Sequence, residues 1–155
     1  MTDYPSGGRI DFEIQTERSL TFKLRVPAWC RSYQLTVDQI ETRLDAKEQF
    51  LSVELSAGSH SVLLKLDDYT EIHCHEIDGK PYLSVTCGPL LMAHDTHFGN
   101  PLWKPLPKYA RFERCDPKGD AMIKLISEDM TLIDFASAGG IDPEKDTYTV
   151  FIPQE

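Results

Sequence analysis

The chain has 155 residues, 41% hydrophobic and 26% charged, and carries a net charge of −9 from 25 acidic against 16 basic residues. A chain of this length buries about 70% of the surface its unfolded form exposes, so a real core is within reach, and the mixture is that of a soluble globular protein rather than a disordered or fibrous one. Without clustered Lys and Arg the acidic balance argues against nucleic acid, whose phosphates need such clusters.

From the N-terminus, "MTDYPSGGRID" has neither the basic start nor the apolar middle of a secretion signal. No apolar run approaches the roughly 18–20 residues needed to cross a bilayer, the longest being pieces such as "VLL" and "PLLMA". A cytoplasmic location and no membrane partner are therefore expected. Period-2 alternation, which marks a strand with one buried face, begins with "RIDFEIQ", where Ile10, Phe12 and Ile14 share a side. It continues in "LTFKLRV" with Leu20, Phe22, Leu24 and Val26, and "PAW" ends that strand because proline cannot donate to a central ladder. "YQLTV" alternates Tyr33, Leu35 and Val37; the short polar "TRLDAKEQF" reads as a helix-like excursion; "FLSVEL" and "SVLLKL" flank the turn "SAGSH".

In "YTEIHCH", alternation places Ile72 and Cys74 on the inner face and Glu71, His73 and His75 on the wet one. Asp78-Gly79 is a turn dipeptide and the expected boundary between two halves. Beyond it come "YLSVTC", "PLLMA", "AMIKLIS", "MTLIDFA" and "TYTVFI", all short and rich in β-branched and aromatic residues. From Phe98 to Asp120 runs a stretch with four prolines and no usable period; so long a loop is uncommon in a compact domain and is usually functional, disordered or packed against something else. The whole reads as an all-β, jelly-roll-like antiparallel β-sandwich: either two small packed β-units, 1–78 and 79–155 with the proline-rich loop at about 98–120, or one continuous domain.

The four cysteines, Cys30, Cys74, Cys87 and Cys115, have no C-x-x-C pairing and are too few for a disulfide framework, so reduced and mostly buried thiols are expected. His73 and His75 are weak metal candidates: a His-x-His strand aims two imidazoles the same way, but zinc takes three or four ligands, and the positions where a cupin would place a Glu hold Gly79 and Lys80. No metal and no cofactor are expected. Neither a Cys/His signature, a G-x-S-x-G elbow nor a phosphate loop is present, so no catalytic residue is assigned. Trp103, Tyr109 and Phe112 in the proline-rich loop are the surface candidates, since flat aromatic rings stack on sugars or fill a pocket of a neighbouring domain.

Taken in order, "TDYPSGGRIDFEI", "FKLRVPAWC", "SVTCGPLLMA", "TLIDFASAG" and "YTVFIPQE" resemble segments of the β-L-arabinofuranosidase family, glycoside hydrolase family 127. The resemblance spans nearly the whole chain and implies the β-sandwich region C-terminal to that family's catalytic (α/α)6 barrel. In the family the barrel supplies a cysteine nucleophile within a zinc site that includes two adjacent cysteines. This chain has no adjacent pair, and it carries Ser6 and Cys87 where the family pattern has Trp and Arg. The expected function is thus a non-catalytic accessory β-sandwich whose partner is a helical barrel or a carbohydrate. The alternatives are an independent carbohydrate-binding module and a small cupin-like metalloenzyme.

Overall fold

The computed structural model describes residues 2–45, 49–67, 69–98, 104–119, 121–128, 130–139 and 147–155, with backbone only for 42–45. Among these the regular structure is all β apart from two three-residue 3₁₀ turns. The chain divides into two compact units, Met1–Asp68 and Tyr69–Glu155.

The first unit holds β1 (Arg9–Thr16), β2 (Leu20–Arg25), β3 (Ser32–Val37), β4 (Ile40–Asp45), β5 (Phe50–Leu55) and β6 (Gly58–Leu66). A four-stranded sheet runs β1-β6-β3-β4 and a two-stranded sheet pairs β2 with β5, all antiparallel. One core draws on both sheets: Leu24, Val53 and Leu55 from the small one, Tyr33, Val62, Leu64 and Leu66 from the large one. Ile10, Phe12, Ile14 and Trp29 pack against it, and Phe12 meets Phe22 edge to face at 5.3 Å. This is a small β-sandwich, and each fully buried Leu or Val contributes about 2 kcal/mol to holding it closed.

Part of the stretch read as a helix-like excursion is strand β4. The turn between β3 and β4 places Asp38 (φ 47°) and Gln39 (φ 72°) in the left-handed region, the geometry of a two-residue hairpin turn that matches strand twist. Asp38 steadies it by accepting from the Ser61 amide at 2.9 Å and by pairing with His60 at 2.7 Å. The hydrogen bond to Asp38 raises the His60 pKa, and the same bond lowers that of Asp38.

The second unit contains β7 (Thr70–Ile77), β8 (Lys80–Cys87), β9 (Leu90–Asp95), β10 (Glu113–Cys115), β11 (Lys124–Ile126), β12 (Thr131–Asp134), β13 (Tyr148–Thr149) and β14 (Ile152–Pro153). Its sheet runs β10-β11-β12-β9-β8-β14, with β7 on β8 and β13 on β9. Asp78 (φ 51°) and Gly79 (φ 72°) form the β7–β8 hairpin turn, so this dipeptide lies inside the second unit, and the "EIHCHEI" strand opens that unit. The core gathers Leu83, Val85, Met92, Leu125, Leu132 and Ile152. "TYTVFI" is broken into two short pieces, one on β9 and one on β8.

Strand β9 carries an anomaly. His94 follows the side of Met92, is 0% exposed, and among the described residues neither ring nitrogen has a hydrogen-bond partner. Burial pushes its pKa below the ordinary histidine value, with a smaller opposing pull from the Asp95 carboxylate. A base with a depressed folded pKa leaves the unfolded chain holding more protons. Its stabilising neutral state is therefore complete above about pH 6.5 and is undercut as pH falls below that value. His94→Leu removes two unpaired polar atoms at little change in volume, so it raises stability at pH 7 by about 1 kcal/mol. It also flattens the loss of stability between about pH 7 and 5, which urea titrations across that range measure.

Candidate functional site

The described residues form a cavity of about 440 Å³ in the second unit, at the start of the proline-rich stretch. Its floor is apolar: Leu106 and Met130 are buried and Ala110 is half-buried. Leu106 is held there by backbone bonds. Its amide donates to the Pro153 carbonyl at 2.8 Å and its carbonyl accepts from the Glu155 amide at 3.1 Å, so residues 104–107 run beside the segment after β14 through a parallel bridge to Gln154. This is how a segment with prolines and no period keeps a fixed course: its polar backbone groups are satisfied by a neighbouring strand end.

The next four residues turn back, with the Ala110 amide donating to the Pro107 carbonyl at 2.9 Å. The turn lifts Tyr109 to its tip, 85% exposed at the cavity rim. The Lys108 ammonium lies 6.0 Å from the Tyr109 ring centroid. Opposite, the connection between β11 and β12 closes with the Ser127 amide on the Met130 carbonyl at 2.9 Å, and it presents Ser127 and Glu128 to the cavity. Lys104, Arg111 and Glu155 complete the polar rim. Two cations and two carboxylates thus surround an apolar floor beside one exposed aromatic ring.

The candidate aromatics separate. Tyr109 lines the cavity; Phe112 turns inward and packs on the core of the second unit; Trp103 lies outside the described residues. Phe112 is half-buried and directly precedes β10, where the chain re-enters the sheet. Of the cavity's polar residues, Lys104, Arg111, Ser127, Glu128 and Glu155 have no sequence signal, since they come together only through the bridge between residues 106 and 154.

On β7 the outcome differs from alternation in one respect. Cys74 is exposed, while His73 and His75 are half-buried. His73 Nε2 lies 3.0 Å from Thr86 Oγ1 and His75 Nε2 lies 2.8 Å from Ser84 Oγ, each sharing a hydrogen bond across to β8. The His75 ring also meets Phe151 edge to face at 5.3 Å. Cys74 shares the side of Ile72, which packs on the core, yet is itself exposed. Hydroxyl partners occupy the histidines, and among the described residues no group of three or more His, Cys, Asp or Glu is placed to hold a metal ion. Two of the four cysteines, Cys30 and Cys87, are buried and Cys115 is half-buried, and none of the four is in a disulfide; burial raises the Cys30 pKa. No described helix is long and apolar enough to cross a membrane.

Comparison with known proteins gives the following. The family model for the β-L-arabinofuranosidase GH127 middle domain matches residues 1–67. No match was found among curated proteins. Among solved structures, one described as a glycoside hydrolase is 18% identical with a TM-score of 0.76, over 99% of this chain and 31% of its own. The GH127 β-arabinofuranosidase BT3674 is 18% identical with a TM-score of 0.75, over 100% of this chain and 31% of its own. Ara127N, a GH127 β-L-arabinofuranosidase from Geobacillus stearothermophilus T6, is 15% identical with a TM-score of 0.71, over 100% of this chain and 30% of its own. The chain thus spans about a third of the length of these proteins, and at such identities the likeness is one of fold: the β architecture of both units recurs within larger glycoside hydrolases.

Proposed function

We propose that this chain is the non-catalytic β-region of a glycoside hydrolase of the GH127 type, buttressing a catalytic helical barrel that lies outside these residues. The observation that carries this reading is the coverage asymmetry. Essentially all of the chain superimposes on solved GH127 β-arabinofuranosidases, yet it accounts for 30–31% of their length. The middle-domain match over residues 1–67 supports the same reading for the first unit. The chemistry of the chain agrees: His73 and His75 are engaged with hydroxyls and the cysteines are scattered over both units.

The test is an assay of the purified chain on nitrophenyl arabinofuranosides of both anomers. No turnover above buffer is expected. Hydrolysis that co-elutes with the chain through successive columns and scales with its concentration overturns the non-catalytic reading.

A further inference from the structure

We propose that the cavity rimmed by Tyr109 is a binding subsite for a neutral oligosaccharide. The inference is independent of the accessory reading, since it rests on the composition of the cavity alone. Its volume of about 440 Å³ falls within the range of small-molecule sites and gives room for about two sugar rings.

Three features select the ligand class. The floor formed by Leu106, Ala110 and Met130 suits the C–H face of a sugar, and the exposed Tyr109 ring offers a flat surface for one ring to lie against. The rim pairs two donors, Lys104 and Arg111, with two acceptors, Glu128 and Glu155. Sugar hydroxyls donate and accept at once, so they satisfy both kinds of group. With two cations and two carboxylates these rim side chains carry no net formal charge, so they offer an anionic or a cationic sugar no net electrostatic attraction, whereas the hydroxyls of a neutral glycan meet both kinds of group.

The experiment is a titration of the isotope-labelled chain, followed by amide NMR, with arabinobiose and cellobiose as neutral probes, digalacturonic acid as the anionic one and chitobiosamine as the cationic one. Saturable shifts confined to residues 104–111, 127, 128, 130 and 155 are expected with at least one neutral disaccharide, with a Kd of about 1 mM. Tyr109→Ala weakens that binding by about 3–10-fold, the effect of losing one aromatic face, and Tyr109→Phe retains it. Because Tyr109 is exposed at a turn tip, the spectrum of the remaining residues stays unchanged in both variants. The proposal is overturned if neither neutral disaccharide shifts these residues at about 20 mM, well above the expected Kd. It is also overturned if a charged probe binds more tightly, or if the same amides shift on dilution of the protein alone, which identifies a protein-protein contact.

Discussion

Asp134→Ala lowers the stability of the second unit by about 3–5 kcal/mol, a large part of what a small domain has. Asp134 ends β12 and is 0% exposed. One carboxylate oxygen accepts from the Met122 amide at 2.7 Å and the Ile123 amide at 3.1 Å. The other accepts from the Ser137 amide at 3.1 Å and the Ser137 hydroxyl at 2.7 Å, capping the 3₁₀ turn that follows. The side chain thereby staples the approach to β11 onto the exit from β12. Truncation leaves these amides without their acceptor, the Ile123 amide in a buried setting, and hydrogen bonds to a charged group are each worth about 1.5–3 kcal/mol. Asp134→Asn keeps one carbonyl oxygen, so it recovers part of the loss. Urea unfolding followed by amide signals of the second unit measures both variants; a loss below about 1 kcal/mol for the alanine variant contradicts the assignment.

Gly8→Ala destabilises the first unit by about 3 kcal/mol for a steric reason. A Cβ on Gly8 would stand 1.8 Å from the Leu66 carbonyl oxygen, and the neighbour is backbone, so no side chain can rotate aside. The same contact carries a hydrogen bond from the Leu66 amide to the Gly8 carbonyl at 2.9 Å. The chain must spread here to admit the methyl group, which pulls the entry to β1 from the end of β6. Fluorescence of Trp29, which packs on this core, reports the transition. Gly79→Ala is a useful contrast: nothing lies within 4 Å of its added Cβ and its cost is confined to the strained φ of 72°, about 1 kcal/mol.

The long strands were legible because each buries one face: β1, β2, β5 and β6 follow the alternation of their apolar residues. β4 was not, because it pairs with β3 alone at the end of its sheet, where little apolar patterning is required, and its turn uses Asp38-Gln39 rather than a glycine pair. β10 was hidden among prolines for the same reason: it is three residues long and pairs with β11 alone. Tyr109 was legible as a large aromatic on a loop, and the polar rim around it was not. Buried polar groups such as Asp134 and His94 escape a one-dimensional reading altogether, since an Asp at a strand end looks like a solvated turn residue until the amides of residues 122 and 123 are seen to converge on it.

The edge of β8 opposite β7 is divided between β9, which pairs with Thr86 and Cys87, and β14, which pairs with Tyr82 and Leu83. This gives the two units different schedules during synthesis. Every strand of the first unit has been made by residue 66, so its sandwich forms while the ribosome is still translating the rest. In the second unit, Leu83 waits for Ile152 across nearly the whole length of that unit, and such distant pairings are slow because the intervening chain must be ordered before they repay its entropy. Until β14 is in place, the apolar side chains of β8 depend on β7 and β9 for cover.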